Sequence, residues 1–279
     1  MTGKTVVITG ATSGIGQAAA EKLAAAGARI VLVARDRTRG DAALTRLRSI
    51  GPGATHRAYY ADLSLVAEMK RVGREIATAE PRIDVLINNA GGMFNRREVT
   101  KDGLEMTFAT NHLSYFVLTR MLTERLAASA PARVVNTASH AHRGAKLDFS
   151  DLQMGKSYSG FRAYGRSKLC NIFFTRELAR RLADSGVTAN SLHPGFVDTR
   201  IGDQNGGFGA RVFGVLKKFA LSPEKGAETI VYLASSSVPA VVSGAYFCKC
   251  QVYEPSKEAQ DDDAGRRLWQ ESERLAGEI

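Results

Sequence analysis

Cysteine is scarce in this chain of 279 residues: Cys170, Cys248 and Cys250 are an odd set with no C-x-x-C spacing. That excludes a disulfide framework and a cysteine-rich zinc module, and it points to a reducing, cytoplasmic setting. Cys248 and Cys250 read as small strand residues rather than redox partners. Long apolar runs are missing too. Nothing approaches the roughly 18 residues that a membrane span needs, and a strand pattern begins at Thr5, too early for a charged and then apolar leader, so neither an export signal nor a transmembrane helix is expected. The basic surplus, a net charge of +10, contains no long basic run and no aromatic interleaving. A nucleic-acid module is therefore not expected; a phosphate-bearing small partner or a solvated basic face is. His140 and His142 stand close in sequence but lack a third ligand, so they read as solvated or pocket-lining, and no metal site is expected.

What is present is alternation. Short β-branched runs at Thr5 to Thr9, Arg29 to Ala34, Thr55 to Tyr60, Ile83 to Asn88, Arg133 to Thr137 and Thr188 to His193 are separated by stretches of helical period. Those stretches cover Ile15 to Ala26, Thr38 to Ile50, Leu65 to Ala79, Asp102 to Ser129 and Phe161 to Asp184. The strands are apolar throughout rather than every second residue, as in a parallel sheet covered on both faces. This predicts a single α/β domain over 1–279, a doubly wound Rossmann sheet of order 3-2-1-4-5-6-7 with helices on both faces. Two intervals break the rhythm, 140–160 and 196–221. Both follow the carboxyl ends of strands, where open α/β sheets bind ligands.

The first strand runs into Thr9-Gly10-Ala11-Thr12-Ser13-Gly14-Ile15-Gly16 and then a helix, which suits a pyrophosphate at a helix N-terminus. The second strand ends in Ala34-Arg35-Asp36, with Arg39 one turn on. Arg35 and Arg39 can grip a 2′-phosphate, which favours NADP(H), while Asp36 keeps NAD(H) as the lesser alternative; otherwise these residues are an ordinary exposed helix start. Asp62 is placed either to accept from an adenine amino group or to cap the next helix. Asn88-Asn89-Ala90-Gly91, at the end of the fourth strand, offers small residues and amides along a ribose.

Tyr164 and Lys168 are spaced i, i+4 on one helix, and Ser139 lies just past the fifth strand. Lowering a tyrosine pKa by ~3 units takes ~4 kcal/mol of preferential stabilisation of the phenolate, which an adjacent ammonium and an oxidised nicotinamide ring can supply in a low-dielectric pocket. Y-x-x-x-K alone is common. Its order behind the glycine turn, Asn88 to Gly91, Asn111 and Ser139 is not.

From about Gly3 to Leu275 the chain resembles the short-chain dehydrogenase/reductases, in particular the retinol dehydrogenase-like branch, with a carbonyl reductase-like cofactor loop. The resemblance rests on Leu86 to Gly91, Thr110 to Leu113, Arg133 to Asn136, Tyr164 to Leu169, Phe174 to Leu178, His193 to Gly195, Ser243 to Phe247 and Arg267 to Trp269. It implies that Tyr164 exchanges a proton with the substrate oxygen, Ser139 orients that oxygen, Lys168 holds the nicotinamide ribose, and Asn111 positions a water that completes a proton relay. It extends the cofactor set to Leu63, Pro194, Gly195, Val197 and Thr199 and sets Phe94, His140, His142, Phe196 and Phe213 on the substrate side. Two departures weigh against a retinoid substrate: Ala138 replaces a usual second serine, and no apolar N-terminal anchor is present.

Phe208, Val212, Phe213, Val215, Leu216 and Phe219 form an apolar stretch flanked by Arg211, Lys217 and Lys218. They read as a lid over a lipophilic carbonyl or alcohol, as a helix packed on the core or another subunit, or as a peripheral membrane contact. The resemblance implies a homodimer or homotetramer through the long helices. A non-catalytic NADP(H)-binding regulator is the second functional reading; a nucleotide-sugar epimerase or dehydratase fits the glycine spacing less well.

Overall fold

The computed structural model describes residues 1–195 and 221–278. One eight-stranded sheet runs in the order β3-β2-β1-β4-β5-β6-β7-β8. It comprises β1 (Thr5–Thr9), β2 (Arg29–Ala34), β3 (Arg57–Tyr60), β4 (Val85–Asn88), β5 (Ala132–Thr137), β6 (Val187–His193), β7 (Tyr246–Cys248) and β8 (Gln251–Val252). All pairings are parallel except the last, an antiparallel strand added at the edge. The fold and strand order are those predicted from the pattern, and β8 is the addition.

Alternate residues of the strands feed two cores. Val7, Val31 and Val33 face α3 (Val66–Ala79), α5 (Ser114–Ala128) and α6 (Gly160–Arg181), whereas Val6, Ile8, Ile30 and Leu32 face α1 (Gly14–Ala25), α2 (Arg37–Ile50) and α8 (Glu228–Ser235). Burying both faces explains why no strand alternates in hydropathy. A short helix, α7 (Pro223–Gly226), precedes α8.

The helix expected from Asp102 to Ser129 is not continuous. Gly103 sits at φ +78 and Asp102 accepts from the Val66 amide at 2.7 Å, capping α3 instead of starting its own helix. Glu105 caps a single turn, α4 (Met106–Phe108), by accepting from the Thr107 and Phe108 amides, and a π-helical turn, Ala109–Leu113, then widens the spiral before α5. Single π turns accommodate an extra residue and recur at functional sites. Cys248 lies in β7, but Cys250 does not lie in a strand: Lys249 and Cys250 have positive φ and form the two-residue turn into β8.

The C-terminal helix α9 (Asp262–Ala276) crosses the outer face of α5 and α6. Trp269 packs edge-on to Phe116 and stacks on Phe174, His112 bonds Ser272 at 2.9 Å, and Asp262 bridges Arg176 and Arg180. The aromatic side chains on that face of the long helices are thus covered by the chain itself. No helix among the described residues is long and apolar enough to cross a membrane.

Candidate active site

At the cofactor end the ligand edge is main chain. Gly10, at φ +72, lies so close to Ala90 that a Cβ would sit 2.8 Å from its Cα, and a Cβ on Gly16 would come within 2.3 Å of both Asn89 Nδ2 and the Gly10 carbonyl. The Thr9 hydroxyl accepts from the Asn89 and Ala90 amides, and the Asn89 side chain donates to the Thr9 and Gly10 carbonyls. Asn89 therefore binds the two loops to each other, and its side chain is committed to protein rather than reaching for a ribose. Ser13 stands at the N-terminus of α1 without making a side-chain cap, and the first turn has no acidic residue. Those helix amides, with half-buried Thr12 and Gly14 beside them, suit a phosphate. The residues present fit a dinucleotide.

Arg35 and Arg39 are exposed, and among the described residues neither forms an ion pair. Asp36 caps α2, accepting from the Arg39 amide at 2.8 Å, and Asp41 is taken by the Tyr60 hydroxyl. Asp62 does not cap α3. Its carboxylate accepts from the Ser64 amide and hydroxyl, the cap position falls to Leu65, and Leu63 packs half-buried on the core. Pro194 and Gly195 follow β6 at the carboxyl edge of the sheet, Gly195 at φ +91 against Leu221. Phe196, Val197, Thr199, Phe213 and the 196–221 lid region lie outside the described residues, apart from Leu221.

At the chemical end the edge is built of side chains. Tyr164 and Lys168 occupy successive turns of α6, with the lysine Nζ 5.4 Å from the tyrosine ring centre and donating to the Thr137 carbonyl at 3.0 Å. Burial pushes the Tyr164 phenol up to about 12, against the pull of its hydrogen bond with Ser139. Burial also pushes Lys168 down to about 7. The activating effect expected of lysine on tyrosine is thus outweighed in the chain alone: both groups are driven toward neutrality, and added positive charge would reverse this for the tyrosine only.

Asn111 sits in the π turn. Its Nδ2 donates to the Gly92 carbonyl and to Ser167 Oγ, both at 2.9 Å, while its Oδ1 accepts from the Gly92 amide at 2.8 Å. Ser167 in turn donates to the Tyr164 carbonyl. Both amide protons of Asn111 are therefore spent on protein, and the residue acts by tying the loop after β4 to the tyrosine helix. Ser167 and Asn171, which shares the Thr137 carbonyl with Lys168, were not anticipated. Asn171 lies three residues after Lys168 on the same helical face, which is the signal that could have found it.

Ser139 starts a 3₁₀ turn, His140–His142. His142 is neither solvated nor lining the pocket. It is fully buried, its Nδ1–H donates to the Ser139 carbonyl at 2.5 Å, and its Nε2 accepts from the Ser256 amide at 3.0 Å. One fixed donor and one fixed acceptor select the neutral ring, and burial lowers its pKa. His140 is half-buried and stacks on His193 with ring centres 3.9 Å apart. Phe94 is half-buried near the start of α6; its carbonyl accepts from the Tyr158 hydroxyl at 2.7 Å, and Gly160 packs on it closely enough to exclude a Cβ. No group of three or more His, Cys, Asp or Glu able to hold a metal occurs among the described residues.

The edge thus has main chain at one end and a half-buried tyrosine beside a buried lysine at the other. Residues 4–206 match the family model for short chain dehydrogenase. Human retinol dehydrogenase 13 is 41% identical over 284 residues, taking in 99% of this chain and 85% of that protein. Among solved structures, an uncharacterized protein from Mycobacterium paratuberculosis is similar with a TM-score of 0.80 at 33% identity, over 99% of this chain and 94% of its own. The Pseudomonas aeruginosa RhlG/NADP active-site complex matches with a TM-score of 0.71 at 28% identity, over 88% of this chain and 94% of its own. The chain belongs to the short-chain dehydrogenase family, in its retinol dehydrogenase-like branch.

Proposed function

We propose that this oxidoreductase uses NADP(H) to interconvert a lipophilic aldehyde or ketone and the corresponding alcohol. The observation that carries the reading is the buried Lys168 with the half-buried Tyr164 and Ser139 at the carboxyl edge of a sheet whose first turn suits a pyrophosphate. Gly10 to Gly16, Asn89 to Gly91 and Pro194-Gly195 would hold the dinucleotide, which would supply or accept the hydride and, when oxidised, add a positive ring. Ser139 orients the substrate oxygen by a hydrogen bond, and Tyr164 gives that oxygen a proton in reduction or takes one in oxidation. Lys168 binds the ribose and offsets the charge of the phenolate, with Asn111 holding its surroundings through Gly92 and Ser167.

NADP(H) over NAD(H) is supported by the exposed Arg35 and Arg39, which form no ion pair among the described residues, and by the commitment of Asp36 to capping α2. The NADP in the RhlG complex points the same way. A lipophilic substrate is supported by the activity that names the human relative, a retinol dehydrogenase, and by the half-buried Phe94 and the 66% exposed Phe161 at the start of α6. The test follows reduced nicotinamide consumption with NADPH, then NADH, across carbonyls from short aliphatic aldehydes to retinal. Turnover that prefers NADPH supports the proposal. Tight NADPH binding with no turnover on any carbonyl or alcohol would replace it with a dinucleotide-binding regulator.

A further inference from the structure

Lys168 is enclosed by two tyrosines, and only one of them has a role above. Its Nζ lies 5.8 Å from the ring centre of Tyr115, almost as near as the ring of Tyr164. Tyr115 is four residues beyond Asn111, across the junction of the π turn and α5, and is 1% exposed. Its hydroxyl is buried and has no hydrogen-bond partner among the described residues. Folded proteins rarely leave such a group without a ligand or an ordered water. Lys168 has the complementary surplus: one N–H is spent on the Thr137 carbonyl and two of its three donors remain.

The other groups around the pair are Tyr164, Ser167 and Asn171 from α6, the end of β5 with Thr137 and Ser139, Gly91 from the loop after β4, and Asn111 from the π turn. Asn171 shares the Thr137 carbonyl with Lys168 and keeps its own Oδ1 without a partner among the described residues. His112, next to Asn111, turns away to Ser272 of α9. No carboxylate among the described residues faces Lys168.

We propose that Tyr115 is a further positioning residue of this site, its hydroxyl sharing one buried water with Lys168 and so holding the lysine ammonium beneath Tyr164. The rate consequences rest on the oxidoreductase reading; the consequence for Lys168 itself does not. An acceptor for the ammonium stabilises its charged form, so removing that acceptor weakens proton binding at Lys168 and the help it gives the Tyr164 phenolate.

Tyr115→Phe removes one oxygen and keeps the ring. With 13C-labelled lysine, and the Lys168 resonance assigned by its loss in Lys168→Met, the Lys168 titration is expected to move to lower pH by about half a unit or more, a roughly three-fold loss of proton affinity. NADPH affinity should stay within about two-fold, alcohol oxidation should reach half its maximum at higher pH, and carbonyl reduction near neutral pH should fall about five-fold. In the Lys168→Met background the same substitution should leave the pH profile where it was. If Tyr115→Phe raises the melting temperature while the lysine titration and pH profile stay put, the hydroxyl is an unused filler and the proposal is overturned. A pH shift that persists in the Lys168→Met background overturns it too. Absence of turnover in the unmodified protein would sink the proposed function, yet the lysine titration would still decide the role of Tyr115.

Discussion

Beside β1 and β2 the ligand edge is made of backbone, with glycines pressed against the loop after β4 and two arginines left in solvent. Beside β5 and α6 it is made of ionisable side chains withdrawn from water, among them Lys168 at 3% exposure. The first region works by shape. The second works by environment, and burial holds tyrosine and lysine away from the protonation states that chemistry needs. The two regions should fail in different ways: the first through a clash, the second without structural change.

Tyr164→Phe is the widest separation of the two. Removing a positioned proton donor costs on the order of 10³-fold in turnover, while the ring still fills its place on α6, so NADPH affinity and melting temperature should hardly move. Steady-state rates alongside a fluorescence titration with NADPH check it; a comparable loss of cofactor affinity would show that the two regions are not separable.

Gly16→Ala should do the opposite. Its Cβ would meet Asn89 Nδ2 and the Gly10 carbonyl at 2.3 Å, and the carbonyl is backbone that cannot swing aside. Overpacking of this kind costs about 1–3 kcal/mol, and the displaced turn should weaken NADPH binding by roughly ten-fold or more, since the turn and the helix amides bind together. A variant with unchanged affinity would mean that the turn is only structural.

The same division explains what could be read from sequence. Continuous β-branched strands located β1 to β6 within about two residues, and the glycine turn was legible because glycine spacing records backbone shape directly. The break between Asp102 and Ser114 was not, because the π turn is local geometry that helical period does not encode, and because the helix starts at Glu105 only once Asp102 is drawn away to cap α3. His142 was misplaced for a related reason. Its partners are the Ser139 carbonyl and the amide of Ser256, more than a hundred residues distant in the chain, and no local pattern announces a contact of that separation. Asp62 and Cys250 were settled by short turns that compete with regular structure.

Acid should break the chemical region first. Four of the five histidines, His112, His140, His142 and His193, lie on that side, and all four have pKa values lowered by burial, His112 and His193 to about 3. Between those values and the ordinary 6.5 the unfolded chain binds protons that the folded chain refuses, so stability falls as pH falls through this window. The fully buried His112 alone contributes a slope approaching about 1.4 kcal/mol per pH unit. Hydrogen exchange near pH 5 should therefore rise around Ser139 to Ala145 and Ser256 before it rises in β1 and α1. Uniform loss of protection would show that the two regions unfold as one.

The smallest expected effect tests whether Asp36 belongs to shape or to charge. It lies between Arg35 and Arg39, where an acidic residue would bond a ribose hydroxyl, but its carboxylate accepts from the Arg39 amide at the start of α2. If capping is its work, Asp36→Ala should cost about 1 kcal/mol of stability, whereas Asp36→Asn should keep most of that. Both should improve NADPH affinity by no more than a few-fold, by removing a negative charge near the 2′-phosphate in a solvent that screens it. Urea unfolding and paired NADPH and NADH titrations separate the cases. A selective loss of NADH binding in Asp36→Asn would place this residue among the ligand contacts, and the backbone-built end of the site would then depend on a side chain after all.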